Sequence, residues 1–257
     1  MHTPPIRIHR PCEGVAVVML DRPHRLNAMR PSTIGPLVEA FEVLANDEST
    51  RAVVLTGAGR GFCTGMDLGA LEEMAPIDVE SQTAWMRDLM RASILLDWLP
   101  QPTIAAVNGP ATGGGFGYAM GCDIRIASRS ALFSATFARM AMGPDAGLSH
   151  SLPRAAGYAR ALELLLTADV VDADEALRLG IVSRVVEDAQ ETAIELAKRI
   201  AAVPGHASRS IKRTLRQSLA TDFEAAVDTE ARAQAELICH PDWMANATAW
   251  LAKHGGR

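Results

Sequence analysis

Apolar strands alternating with amphipathic helices predict an α/β fold whose strands run largely parallel. Three observations carry this reading. Residues 15–20, 51–56 and 103–107 are strand-like, and Ala52-Val53-Val54-Leu55 is apolar throughout, as in a strand covered on both faces. Helical periodicity intervenes over 32–46, with Leu37, Val38, Phe41 and Leu44 on one face. It returns over 70–99, where Trp85, Leu89, Ile94, Leu95 and Trp98 recur near helical spacing. Glycine-rich loops follow the second and third strands at their C-terminal ends, where α/β proteins usually bind ligands.

The remaining elements follow in order. A helix over 114–121 leads to a strand over 123–127 and a shorter one at Leu132-Phe133-Ser134. From residue 158 the pattern turns helical, with helices expected over 159–166, 172–179, 188–203, 208–219, 222–238 and 243–253. Asp172 with Glu175 three residues on forms a capping box, and Gly180 is placed to end that helix. We expect a core over 1–200 and a helical C-terminal region over 201–257.

Composition narrows the function. The 257 residues are 48 % hydrophobic and 21 % charged, an ordinary globular balance, and the net charge of −5 argues against nucleic acid as a partner. Cys12, Cys63, Cys122 and Cys239 are scattered, so neither a zinc site nor a disulfide framework is expected, as in a reducing cytoplasm. Met1-His2-Thr3-Pro4-Pro5 is no signal peptide, and no apolar run is long enough to cross a membrane. A soluble cytoplasmic protein is expected.

The stretch Asn108-Gly109-Pro110-Ala111-Thr112-Gly113-Gly114-Gly115-Phe116-Gly117 is the most informative. Three glycines at a strand-to-helix junction offer backbone N–H groups at the positive end of a helix, suited to a phosphate or to an acyl oxyanion. Neither this cluster nor Gly57-Ala58-Gly59-Arg60-Gly61 completes G-x-G-x-x-G, because Tyr118 and Phe62 stand at the third glycine position. There is no G-K-[ST] either, so dinucleotide and nucleoside triphosphate binding are disfavoured. If the two loops are neighbours, the N–H groups of a residue near Met66 and of Gly114 would converge as an oxyanion hole. Two unrelated tight turns remain the alternative.

Several spaced motifs resemble the crotonase (enoyl-CoA hydratase/isomerase) superfamily. They are Asp21-Arg22-Pro23-His24-Arg25-Leu26-Asn27-Ala28-Met29, the stretch from Leu55 to Leu68 containing Gly-Ala-Gly-Arg-Gly-Phe-Cys-Thr-Gly-Met-Asp, and Ala105-Ala106-Val107-Asn108-Gly109 running into the glycine triplet and Cys122-Asp123. Leu152-Pro153-Arg154 with Gly157 and the helical tail also fit, so the likeness covers nearly the whole chain. It implies a ClpP-like spiral of ββα units and binding of an acyl-CoA thioester, coenzyme A entering as part of the substrate and no further cofactor being needed. The thioester oxygen would sit between the N–H groups of Met66 and Gly114. Arg25, Leu26 and Ala28, with Thr64, Asp67, Leu68 and Gly113, would line the coenzyme. Trp250 and Lys253 resemble positions that reach it, often on a neighbouring subunit of a trimer or hexamer, which makes 201–257 the expected trimerisation region.

The departures from that pattern point to the reaction. Hydratases of the family use two glutamates, and the matching positions here are Gly117 and Phe137. One acid remains, Asp145 in Met142-Gly143-Pro144-Asp145-Ala146-Gly147, where an aspartate resembles that of ring-epoxide isomerases and Δ3,Δ2-enoyl-CoA isomerases. A single carboxylate suits isomerisation, since it can take a proton from one carbon and return it at another while the hole holds the enolate. Phe116, Phe137, Met140 and Met142 would keep the pocket dry and raise the pKa of Asp145. Locally, Pro-Asp-x-Gly is also a favoured turn, so capping is the alternative role. His150 reads as a surface residue, Asp67 and Asp123 as loop braces, Cys63 and Cys122 as core residues. Trp85, Trp98 and the methionines of 70–99 read as core or acyl-pocket lining. An isomerase is thus expected, with hydratase-like or aryl-CoA dehalogenase-like use of Asp145, or acyl-CoA binding without catalysis, still open.

Overall fold

The computed structural model describes residues 4–70 and 78–254. They divide into two compact units, 1–202 and 203–257. Among the described residues the first unit holds a six-stranded sheet. Its strands are β1 (Ile6–Cys12), β2 (Val15–Leu20), β3 (Ala52–Gly57), β4 (Thr103–Val107), β6 (Ile124–Ser128) and β9 (Arg184–Val186), in the spatial order β1-β2-β3-β4-β6-β9. Only the β1–β2 hairpin is antiparallel, and every other pair is parallel. A second sheet joins the short strands β5 (Ala111–Thr112), β7 (Leu132–Ser134) and β8 (Val171–Asp172). The fold is therefore mixed α/β with largely parallel strands.

The uninterrupted apolar runs of β2, β3 and β4 arise because each face of the sheet is covered. Val15, Val17, Val54, Ile104, Ala106 and Ile126 pack against α7 (Ala189–Ala201), which presents Ala189, Ala193, Ala197 and Ala201. A four-residue alanine spacing gives one smooth helix face that can approach the strands closely. On the other face, Ala16, Val18, Leu20, Val53, Leu55, Ala105 and Val107 meet Leu37, Phe41 and Leu44 of α1 (Pro31–Ala45) and Ala92 and Leu96 of α2 (Val79–Trp98). The helix expected from residue 70 begins, within the described residues, at Val79 with Asp78 as its N-cap. Its buried stripe is not the expected one, for Ile94 and Trp98 are 50 % and 76 % exposed.

Helix α3 (Gly114–Gly121) matches its expected bounds. It is followed by α4 (Leu148–Ala156), α5 (Tyr158–Thr167) and α6 (Ala173–Arg178). Asp172 caps α6 by accepting from the Glu175 N–H at 2.9 Å. The second unit consists of α8 (Gly205–Ser218), α9 (Phe223–Ile238) and α10 (Trp243–His254), with α9 packed against both of the others. No helix of the described residues is long and apolar enough to cross a membrane.

Candidate active site

The register of β3 on β4, with Leu55 beside Ala105 and Thr56 beside Ala106, brings the two glycine loops out of the sheet side by side. Side-chain amides then tie them down. Asn108 Nδ2 donates to the Gly57 and Gly59 carbonyls, both at 2.9 Å, and Asn27 Nδ2 donates to those of Ala58 and Gly61 at 2.9 and 2.7 Å. The loops also bond to each other. The Phe62 and Cys63 N–H groups donate to the Pro110 carbonyl at 3.1 Å, the Thr112 N–H to Cys63 at 3.0 Å, and the Thr112 hydroxyl to Thr64 at 3.1 Å. A methyl group on Gly115 would overlap the Cys63 carbonyl oxygen, and one on Gly65 (φ +80°) would lie 2.8 Å from the Thr112 oxygen and 3.2 Å from the Gly114 nitrogen. These glycines are what allow the loops to touch. The two-turn alternative is set aside: the loops form one structure.

That contact leaves two backbone donors unused. Met29 pairs with the chain on either side of Met66, its N–H donating to the Gly65 carbonyl at 2.7 Å and its carbonyl accepting from the Asp67 N–H at 2.8 Å. The N–H of Met66 itself is thereby turned away from Met29. Gly114 is the first residue of α3, so its N–H has no intrahelical acceptor and lies at the positive end of the helix. Neither N–H has an acceptor among the described residues. Both residues line a cavity of about 320 Å³.

Asp145 lines the same cavity. A methyl group on Gly114 would come 3.2 Å from its Oδ1, so the bare backbone of Gly114 keeps the space beside the carboxylate open. Oδ1 is buried without a hydrogen-bond partner among the described residues, and burial pushes the Asp145 pKa from 3.8 to about 6. Its backbone carbonyl accepts from the Leu148 N–H at 2.9 Å and so closes the turn into α4, but the side chain takes no part in capping. The next residue, Ala146, sits at φ +49°, a left-handed backbone that a residue with a Cβ rarely adopts and that the packed turn enforces.

Thr64, Met66, Leu68, Gly113, Gly114, Phe137 and Asp145 all meet at the cavity, together with Met140 and Met142. Phe116 does not reach it, contrary to expectation. It points into the core, where its ring centroid lies 5.3 Å from that of Phe133. Arg25, Leu26, Ala28 and Asp67, expected along the coenzyme, are not among the residues that line this cavity. Arg25 ends an exposed 3-10 turn (Pro23–Arg25) and Ala28 is buried, while the Leu26 carbonyl accepts from the Thr64 N–H at 3.2 Å. The Asp67 carboxylate is engaged by Arg22 at 2.9 Å and by the Gly69 N–H at 3.1 Å. Although burial opposes it, these partners hold its pKa below the usual carboxylate range. It braces the loop, as Asp123 does through the Thr103 N–H and hydroxyl, each at 2.8 Å. Trp250 and Lys253 lie exposed on α10 in the second unit.

The two positions at which a hydratase would carry glutamate are filled by packing. A Cβ on Gly117 would stand 2.5 Å from the Ala146 Cβ, and Phe137 is a buried wall of the cavity. Burial pushes the Cys63 thiol up to about 12, which makes it a core residue and no nucleophile. Met86 and Met90 line the cavity as acyl-pocket residues would, whereas Met74 lies outside the described residues. Ser93 and Tyr118 join them without having been singled out in the sequence. Helical spacing could have found both, since 86, 89, 90 and 93 share one face of α2, and Tyr118 stands one turn beyond Gly114.

The family model for enoyl-CoA hydratase/isomerase matches residues 10–254. A probable enoyl-CoA hydratase of Mycobacterium tuberculosis is 40 % identical over 237 residues, covering 89 % of this chain and 83 % of that protein. The 1,2-epoxyphenylacetyl-CoA isomerase of Escherichia coli is 35 % identical over 247 residues, covering 94 % and 93 %. An enoyl-CoA hydratase of Bacillus anthracis has a solved structure that superposes with a TM-score of 0.91 at 31 % identity, covering 97 % and 96 % of the two chains. With the fold, the paired glycine loops and the sequence match in agreement, the chain belongs to the enoyl-CoA hydratase/isomerase family, the crotonases.

Proposed function

We propose that this crotonase is an acyl-CoA isomerase that moves a double bond, or opens an epoxidised ring, through a thioester enolate. The observation that carries the reading is Asp145: an unpartnered, buried carboxylate oxygen beside Gly114, in a cavity that no glutamate lines among the described residues, with Gly117 and Phe137 at the two hydratase positions. The thioester oxygen is held by the N–H groups of Met66 and Gly114. Conjugation acidifies the proton at the α-carbon, or at the vinylogous γ-carbon, and Asp145 removes it. The negative charge moves onto the thioester oxygen, where two preoriented donors stabilise it by several kcal/mol. Asp145, now protonated, returns the proton at the other carbon, so no water is consumed. A pKa of about 6 leaves the carboxylate ionised at neutral pH and still basic enough for this exchange.

Asp145→Asn and Asp145→Ala test the assignment directly. Turnover of a 3-enoyl-CoA or of a ring-epoxide thioester is expected to fall by about 10²–10⁴, the range for removing a general acid–base group. Near-wild-type turnover in either variant removes Asp145 from the mechanism.

A further inference from the structure

Ser93 of α2 and Tyr118 of α3 face the cavity from a wall otherwise built from Met86, Leu89, Met90 and Ile34. The Ser93 Oγ is buried, and no hydrogen bond of good geometry satisfies it among the described residues, although the Tyr118 hydroxyl lies within its reach. Helical hydroxyls ordinarily bond back to the preceding turn. Thr83 does so to the Val79 carbonyl at 2.7 Å, Ser151 to Gly147 at 3.1 Å and Thr167 to Glu163 at 3.0 Å. Ser93 makes no such bond to Leu89. In an apolar wall a hydroxyl in this state is unfavourable until a ligand atom completes it.

Tyr118 supplies the second hydroxyl. It is 4 % exposed, stands one turn after Gly114, and joins the hydrophobic core while also lining the cavity that Asp145 lines. Burial pushes its phenol above the ordinary range, Cys63 and Asp145 push in the same direction, and hydrogen bonding with the Ser93 hydroxyl opposes them. The phenol therefore stays protonated and remains a donor. A pair of neutral hydroxyls offers a donor and an acceptor but no charge, and Asp145 in the same cavity repels an anionic acyl terminus.

We infer that Ser93 and Tyr118 bind a neutral oxygen on the acyl group (a hydroxyl, oxo or epoxide oxygen), so that the site selects an oxygenated acyl thioester over a plain hydrocarbon one. The inference rests on the acyl-CoA reading above. It is tested by calorimetric titration of the wild-type protein with hexanoyl-CoA and with the positional isomers of hydroxyhexanoyl-CoA, saturated thioesters with no double bond to shift. At least one hydroxylated isomer binds about tenfold more tightly than hexanoyl-CoA, the effect of one hydrogen bond made in a dry site. Ser93→Ala and Tyr118→Phe each bring that ratio close to one. The inference is overturned if hexanoyl-CoA binds as tightly as every hydroxylated isomer, or if the preference survives both substitutions. Either result leaves the acyl-CoA reading standing. If no thioester binds at all, that reading fails and this one with it.

Discussion

Asp145→Asn is expected to stabilise the folded protein at the same time as it removes the chemistry, and the size of the gain follows from the carboxyl's surroundings. Folding carries this group from a pKa of 3.8 to about 6 because burial disfavours the ionised form. The difference corresponds to about 3 kcal/mol of additional free energy for the ionised carboxylate in the folded state. The sign follows from proton binding. Between pH 4 and 6 the folded protein holds a proton that the unfolded chain has released, so stability falls as pH rises through that interval and is level above it. Asparagine has nearly the same shape and no charge to desolvate. The variant therefore gains up to about 3 kcal/mol near pH 8, less about 1 kcal/mol for an amide that also lacks a partner. For a chain of this length that is a rise in melting temperature of roughly 4–10 °C. Melting curves of both proteins from about pH 4 to about pH 8 test it, with the variant ahead at the basic end and level with or slightly below wild type at the acidic end. A variant less stable than wild type near pH 8, or a gap that does not change with pH, refutes the assignment of a desolvated carboxylate.

Three further outcomes follow from the same geometry. Wild-type kcat/KM for isomerisation is level above about pH 6 and falls about tenfold for each pH unit below it, because the base must be ionised, and this limb is missing from the residual activity of Asp145→Asn. Gly117→Glu, which reinstates a hydratase carboxylate, places a Cβ 2.5 Å from the Ala146 Cβ and 2.9 Å from its carbonyl oxygen. It lowers stability by about 2 kcal/mol or more without producing hydration of crotonyl-CoA, as read by denaturant titration and by thioester absorbance. Asn27→Ala leaves the Arg22 N–H and the Ala58 and Gly61 carbonyls without their partner at a site 1 % exposed, and lowers unfolding free energy by about 3 kcal/mol.

The parts of this protein legible in its sequence are those in which local pattern and packing agree. β2, β3 and β4 read as strands covered on both faces because α1, α2 and α7 cover them. α3 could be read to the residue because its glycines mark both ends. β1 was not legible: in Ile6–Cys12 the charged residues Arg7 and Arg10 belong to an exposed edge strand, which carries no apolar run. α4 was hidden by Pro153, placed inside the helix against its usual preference. In the site, the glycine loops announced their backbone chemistry, and the missing glutamates were plain at Gly117 and Phe137. Asp67 was legible as a loop brace, but its partner was not, because the pairing with Arg22 spans 45 residues and is set by how Met29 and Met66 align, which local spacing cannot reveal. Helical spacing puts Ser93 on the cavity face of α2, but its lack of an ordinary backbone partner, which no sequence pattern carries, is what sets it apart.

The central claim, that one carboxylate and two backbone donors perform isomerisation without water, is tested most directly by giving the wild-type protein 3-hexenoyl-CoA and 2-hexenoyl-CoA separately and following the conjugated thioester. The account predicts that the first is converted to the conjugated isomer while the second acquires no hydroxyl group. Rapid hydration of 2-hexenoyl-CoA, with the 3-isomer left untouched, would contradict it.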